Sequence, residues 1–323
     1  DATAPVNQQL ISVQTDLYHL WINPKGGDIV RIELLSHDKS KDSNQPFVML
    51  ENDAKRTYVA QSGLIGLNGP DSSRGGRPLY AVEKTSYTLA DAKGVQDQKG
   101  QSEKVLSVPM VFKTPEGVEI IKTFTFTQGQ YPIVVSHQVI NRSQQNWQGQ
   151  MFGQLKRDNS EDPGKSSQGI FTLGTFLGGA WGTPDSHYNK LKFANFSEEK
   201  LNADAKGGWV AIVQHYFVSA WIPGNLKLTQ ANGQPYVAKL ESRQSADHMN
   251  IIGFTSPVIN VPAGTSMEVD AKLYSGPKVQ SELKDLAVGL NQTVDYGWLW
   301  PIAKLLFLGL QFFHSIVGNW GWS

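Results

Sequence analysis

Two neighbouring segments of the chain alternate between apolar and polar side chains with the period of a β-strand. In residues 123–127, Phe124 and Phe126 alternate with three threonines, which is the pattern of a strand with one buried and one wet face. Residues 128–132 then favour a turn, and residues 133–140 are partly apolar on both alternating faces. Together these segments predict a hairpin inside a β-sandwich.

Similar β-rich runs, separated by turn signals, occupy most of the chain. Residues 11–22 and 29–35 form the first pair, joined by turn formers at 23–28. Residues 209–222 are apolar almost throughout and predict a covered strand or strand pair. Other strand candidates lie at 87–89, 105–112, 250–254 and 267–274. Strands do not alternate with helices, so the sequence predicts a mainly β protein with an antiparallel sandwich over residues 1–275.

Two regions depart from the strand pattern. Residues 68–78 have no apolar side chain able to anchor them, so we expect an exposed, mobile loop. Residues 276–291 place Val279, Leu283 and Leu286 at spacings near 3.6. That periodicity predicts a short amphipathic helix packed on the sandwich.

The closing segment, residues 297–323, carries one formally charged residue, Lys304, among many large apolar side chains. On a helical wheel Lys304, Gln311 and Ser315 share a narrow stripe, so the apolar surface covers most of the circumference. Three interpretations are open: a helix docked on the sandwich, a transmembrane span, or a helix lying in the membrane interface.

The polar residues and Pro301 make a transmembrane span costly, whereas tryptophans at both ends favour the interface. We therefore predict an amphipathic interfacial helix over residues 294–323, leading to a transmembrane span beyond this sequence. The residues predicted to meet the membrane interface are Trp298, Leu299, Trp300, Ile302, Leu305, Leu306, Phe312, Phe313, Ile316 and Trp320.

Charge and cysteine content exclude several kinds of site. Because 29 basic residues balance 29 acidic ones, there is no net field to attract a polyanion, and nucleic acid is not an expected partner. The chain has no cysteine, which rules out disulfides, thiolate metal sites and cysteine nucleophiles.

The sequence also lacks the motifs that carry enzyme chemistry, including the nucleophile elbow, the His-Glu-x-x-His helix, the phosphate loop and the EF-hand. Seven histidines are scattered without ligand spacing. The one enzyme alternative pairs His137 or His215 with Glu119 or Glu83 as an acid and a base, but sequence spacing does not bring them together. We predict no catalytic residue, no metal and no cofactor.

A binding module is the second alternative. The aromatic residues Trp147, Trp181, Tyr188 and Phe193 lie near polar loops. Such rings could line a ligand cleft for a carbohydrate or a peptide, although aromatic residues in a sandwich are more often part of the core.

Several runs of residues are similar to a known family. They are Gln61-Ser62-Gly63-Leu64, Gly69-Pro70-Asp71, Arg77-Pro78-Leu79-Tyr80, Phe152-Gly153-Gln154-Leu155-Lys156, Thr183-Pro184-Asp185, Gly207-Gly208-Trp209-Val210-Ala211, Val294-Asp295-Tyr296-Gly297-Trp298-Leu299-Trp300 and Val317-Gly318-Asn319-Trp320-Gly321. From about residue 10 to residue 323 the chain resembles the large periplasmic domain of YidC-type membrane protein insertases of Gram-negative bacteria.

The resemblance implies a β-supersandwich similar in topology to mutarotase-like domains, followed by an α-helical segment. It implies a place on the periplasmic side of the bacterial inner membrane and a part in inserting and folding inner-membrane proteins, alone or with the Sec translocon. The implied partners are membrane lipid, nascent membrane proteins and Sec subunits including SecD and SecF. In that family the insertion itself is carried out by transmembrane helices, which this chain does not contain.

Overall fold

Two large β-sheets face each other in this computed structural model, which describes residues 9–39, 43–96, 100–162, 176–224 and 237–294. The first sheet has, in spatial order, β14 (Asn202–Ala205), β17 (Ala238–Gln244), β18 (Asn250–Thr255), β11 (Trp147–Arg157), β5 (Thr57–Ile65), β4 (Pro46–Asn52), β3 (Asp28–Asp38), β2 (Tyr18–Asn23), β1 (Ile11–Gln14) and β6 (Ser86–Thr88), with β19 (Ile259–Val261) pairing on β11. The second has β13 (Asn189–Lys192), β12 (Gly178–Gly182), β15 (Trp209–Val213), β16 (Phe217–Pro223), β20 (Ser266–Pro277), β10 (Ile133–Asn141), β9 (Val118–Thr127), β8 (Ser102–Lys113) and β7 (Lys93–Gln96).

The strand pairs are antiparallel except for β1 and β6, which run parallel. The inner faces of the sheets interlock: Trp221 of β16 packs edge-on against Phe254 of β18, and its indole donates a hydrogen bond to the carbonyl of Gln154. The predicted antiparallel β-supersandwich is therefore confirmed.

The alternation in residues 123–140 predicted the buried faces correctly. Phe124 of β9 lies opposite Val135 of β10, and Phe126 opposite Ile133. All four side chains are buried in the core, while the residues between them are only partly covered. The period of two assigned each side chain to its face because one face of each strand packs against the other sheet.

Two of the predicted runs contain more than one strand. Residues 209–222 form the pair β15 and β16, whose side chains are buried throughout. Residues 11–22 divide into β1 and β2, because the hydroxyl of Thr15 accepts hydrogen bonds from the backbone amides of Leu17 and Tyr18 and turns the chain.

The helical part of the described chain is short. β20 continues to Pro277, so Ser275 and Gly276 are strand residues rather than a helix start, and α1 spans Gln280–Leu286. A 3-10 turn follows at Leu290–Thr293. No helix among the described residues is long and apolar enough to cross a membrane. The predicted interfacial helix lies outside the described residues from position 295 onward.

Candidate functional site

The end of β20, α1 and the 3-10 turn form a docked unit, which we call the C-terminal platform, residues 274–294. Leu283 and Leu290 anchor it, since both are fully buried in the core. The Lys278 ammonium donates a hydrogen bond to the Thr293 carbonyl at 3.1 Å, which ties the two ends of the platform together. The platform therefore holds the chain on the sandwich up to Val294.

Tyrosines connect this platform to both sheets. The Tyr18 hydroxyl, on β2 of the first sheet, donates to the carbonyls of Ser275 at 2.8 Å and Tyr131 at 2.7 Å. The Tyr274 hydroxyl donates to the Pro277 carbonyl at 2.5 Å. Burial raises the pKa of Tyr274, and the nearby Glu282 carboxylate raises it further. Both hydroxyls therefore stay protonated and keep donating. The Tyr18 hydroxyl holds the platform on the first sheet, whereas the Tyr274 hydroxyl braces the platform internally.

A glycine allows the sharp turn between α1 and the 3-10 turn. Gly289 has φ +81°, and a Cβ added there would lie 2.1 Å from the His187 carbonyl oxygen. Next to it, the Val288 carbonyl accepts a hydrogen bond from the Trp209 indole at 2.9 Å. The β12–β13 connection and β15 thus contact the platform at Gly289 and Val288.

A buried lysine joins the two sheets at a second place. Lys122 of β9 is fully buried, and its ammonium donates to the carbonyls of Gly26, Gly27 and Ser62 at 3.0, 2.8 and 2.8 Å. Burial, and then the nearby Arg77 charge, lower the pKa of Lys122 to about 7. Since the three carbonyls belong to the other sheet and its β2–β3 turn, Lys122 acts as a polar link across the core.

Arg77 extends this buried polar cluster to residues 68–78. Its guanidinium bonds the Asp28 carboxylate through Nη1 and donates from Nε to Asp71 at 2.8 Å. Asp71 also accepts a hydrogen bond from the Leu64 amide at 2.8 Å. Burial raises the pKa of Asp28, while the Arg77 and Lys122 charges oppose that shift. The expectation of an exposed loop at 68–78 is confirmed for residues 72–76. The segment is nevertheless anchored, because charged side chains hold it where apolar ones are lacking.

The four rings predicted for a ligand cleft do not share one. Trp147 and Arg157 stand at opposite ends of β11, a separation of about 33 Å for ten strand residues. Phe193 lies at the Arg157 end, with its ring centre 5.8 Å from the guanidinium carbon, so Trp147 is remote from it. The Trp147 side chain is itself buried and donates to the Asn68 carbonyl.

The other three rings lie on the β12–β13 hairpin or, for Phe193, at the start of the 3-10 turn that follows it, and all three are partly buried against the core. Tyr188 stacks on Trp209 with ring centres 6.2 Å apart, and Phe193 packs edge-on against Phe196 at 5.6 Å. Tyr188 thus supports the indole that holds the C-terminal platform. The hairpin rings serve packing, and no described contact brings Trp147 to them.

Two residues of the enzyme alternative, His137 and Glu119, lie on opposite faces of their sheet. His137 is fully buried on the inner face of β10, and neither of its ring nitrogens has a hydrogen-bond partner in the part of the chain that the structure describes. Burial, and then the Lys122 charge, lower its pKa well below the usual value. Glu119 instead lies opposite Ile140 on the outer face and pairs with Arg142 at 2.7 Å. Within the described ranges, no group of three His, Asp or Glu side chains could hold a metal ion.

Comparison with known proteins identifies the family of this sandwich. The profile of the YidC periplasmic domain matches residues 10–308, which is nearly the whole chain. The chain belongs to this family.

The relatives of this YidC periplasmic domain carry the same family name. Proteins named membrane protein insertase YidC from Pseudomonas putida, Pseudomonas entomophila and Pseudomonas aeruginosa are 44%, 45% and 41% identical to it across 100% of the chain. The alignment covers 54%, 54% and 56% of those proteins. The chain therefore spans about half the length of the curated relatives it matches.

Solved structures with a similar arrangement of strands are distant in sequence. A galactose mutarotase related enzyme from Lactobacillus acidophilus gives a TM-score of 0.49 at 9% identity, covering 82% of this chain and 97% of that one. A galactose mutarotase-like protein from Lactobacillus casei gives 0.47 at 10% identity, covering 82% and 99%.

Sequence reasoning found the core of this YidC periplasmic domain but missed the groups that hold its C-terminal platform. Lys278, Thr293 and Trp209 act through backbone carbonyls, for which the sequence carries no pattern. The buried polar cluster that contains Lys122 and Arg77 was also missed, because its acceptors are distant in sequence. One signal was present in the sequence. Apolar and polar side chains alternate along β9, and this alternation places Lys122 on the buried face.

Proposed function

We propose that this chain is the periplasmic part of a membrane protein insertase at the bacterial inner membrane, where it assists the insertion and folding of inner-membrane proteins. The observation that carries the proposal is the family match over residues 10–308, together with relatives named as insertases along the full chain. The domain acts by position rather than by catalysis. In support, buried His137 lies opposite Lys122 on β9 and Val269 on β20, neither of which is an acid.

The contact with the membrane is made by the segment that follows the C-terminal platform. Residues 297–323 hold one formal charge and a dense apolar set, and they follow the platform closely in sequence. Half burial of eight large side chains in lipid contributes on the order of 6–12 kcal/mol before ordering costs, taking about 1.5–3 kcal/mol for each fully buried one. That is enough to hold a helix in the interface.

Matched charge substitutions test this contact. Leu306→Glu and Trp298→Glu place a carboxylate on the apolar face, whereas Gln311→Glu places the same charge on the polar stripe. We expect the first two to weaken binding to phospholipid vesicles at least about tenfold, since a charge in the acyl region costs more than 1.4 kcal/mol, and Gln311→Glu to change it little. Vesicle cosedimentation measures the partition coefficients. Equal losses in all three variants would contradict a defined membrane-facing side.

The partners we propose are nascent membrane proteins and the Sec translocon, including SecD and SecF, as the family resemblance implies. The sandwich offers them a rigid surface held at the membrane. Copurification of SecD and SecF with a full-length insertase, with and without this domain, measures the contribution. Unchanged recovery without the domain would remove these two partners from the proposal.

A further inference from the structure

The turn between β15 and β16 presents an exposed aromatic pair. Tyr216 is 70% exposed and is the one aromatic among the large apolar side chains left exposed in the described part of the chain. The His215 ring, also exposed, contacts it edge-on with 3.9 Å between ring centres. An exposed tyrosine beside a second ring gives the turn an apolar body with polar edges.

The residues flanking this pair hold it rigidly. The Gln214 amide donates to the Phe217 carbonyl at 2.9 Å, and the Gln214 side chain donates to Asp162 at 2.7 Å. Phe217 stacks on Phe47 of the first sheet with ring centres 4.1 Å apart. The turn is therefore a fixed projection of the sandwich, and Tyr216 has no partner ring in the core to fold back on among the contacts described.

This projection lies beside the point where the C-terminal platform ends. The Lys278 amide donates to the Tyr216 carbonyl at 2.9 Å, and the Lys278 ammonium donates to the Thr293 carbonyl at 3.1 Å. One residue thus connects the turn with the last residues before the apolar segment. Val279, 37% exposed, adds an apolar side chain to the same surface.

We propose that the β15–β16 turn, with Tyr216 at its tip and Val279 beside it, rests on the phospholipid bilayer as a second contact point of the domain. The inference depends on the proposed function, because it needs the adjoining segment 295–323 to lie at the same bilayer. Tyrosine suits the headgroup level, where its ring meets the acyl boundary and its hydroxyl stays hydrated. Two contacts from one rigid body fix the tilt of the sandwich on the membrane, which a single flexible attachment would leave free.

The absence of cysteine from the chain allows a direct test with single labels. Tyr216→Cys, Leu67→Cys and Trp320→Cys are each labelled with an environment-sensitive fluorophore and mixed with phosphatidylethanolamine–phosphatidylglycerol vesicles that carry a nitroxide lipid. Leu67 is the matched control, since it is 82% exposed and apolar. The start of β5 lies beside Arg157, and the strand is about 26 Å long. Leu67 comes just after the opposite end of this strand.

Lipid contact at the turn predicts nitroxide quenching at positions 216 and 320 that exceeds quenching at 67 at least about twofold, as expected for interfacial side chains. Quenching at 320 alone overturns the inference and leaves the proposed function standing. No quenching at any position overturns both. Equal quenching at 216 and 67 overturns the inference, and so does a label at 216 that is already shielded before vesicles are added, because protein would then cover the turn.

Discussion

At the residue scale, Lys122 shows how one buried charge links two sheets. An ammonium inside a sandwich is costly unless its protons are all accepted, and here three backbone carbonyls accept them. The turn glycines make this possible, because a Cβ at Gly27 would lie 2.9 Å from the lysine chain. The buried position of Lys122 therefore requires glycine in the turn, and the turn carbonyls require the Lys122 ammonium as their hydrogen-bond donor.

We expect Lys122→Met to lower the free energy of unfolding by about 2–5 kcal/mol, because three buried carbonyls lose their donor. Urea denaturation followed by circular dichroism measures the change. Lys104→Met is the matched control on the neighbouring strand, where the lysine is exposed, and its expected change is within about 0.5 kcal/mol. Similar losses of unfolding free energy in both variants would show that the buried hydrogen bonds of Lys122 do not stabilise the fold.

The same lysine predicts a pH dependence. Its pKa is about 7 in the folded chain and ordinarily 10.5, so between these values the unfolded chain binds the extra proton and stability rises with pH. Below pH 7 the cost of the buried charge is fully present. Denaturation at pH 7 and pH 10 should therefore show a gain with pH that Lys122→Met lacks. Parallel pH profiles of the two proteins would contradict this assignment.

At the element scale, the sequence predicted strands well where one face is buried and the other is wet, as in β9 and β10. It predicted boundaries poorly where a distant partner decides them. The helix expected at 276–291 begins later because Phe217 pairs with Pro277 and keeps β20 extended. The anchoring of residues 68–78 was missed because the anchors Asp71 and Arg77 find their partners on other strands. Local periodicity contains neither kind of information.

The turn inside the C-terminal platform gives a prediction for a whole element. Gly289→Ala strains a left-handed position and drives a Cβ into the His187 carbonyl, so we expect a loss of about 2–4 kcal/mol and faster amide hydrogen exchange in residues 287–294. Gly264→Ala is matched, because Gly264 has φ +75° and no atom within 4 Å of the added Cβ. It should cost only about 1 kcal/mol. Equal effects would mean that the contact with His187 is unimportant.

At the scale of the whole molecule, the sandwich is a rigid support for one exit point. Tyr18 joins the sheets at Ser275, Trp209 holds the platform at Val288, and Lys278 ties the two ends of the platform together. The apolar segment begins three residues after Val294. The sequence shows the apolar composition of residues 297–323, because a long apolar run needs no partner to be recognised, and the contact of this segment with lipid stays a prediction. The hydrogen bonds that hold the platform could not be predicted, because every residue has a backbone carbonyl and the sequence does not show which one accepts.

The most direct test of this account is flotation of the chain on phospholipid vesicles with and without residues 297–323. The account predicts that the full chain floats with the vesicles and that the truncated chain stays in solution. Both forms should show the same sandwich melting temperature, because the truncated chain keeps the buried anchors Leu283 and Leu290. Flotation of the truncated chain equal to that of the full chain would contradict the claim that this segment holds the domain at the membrane.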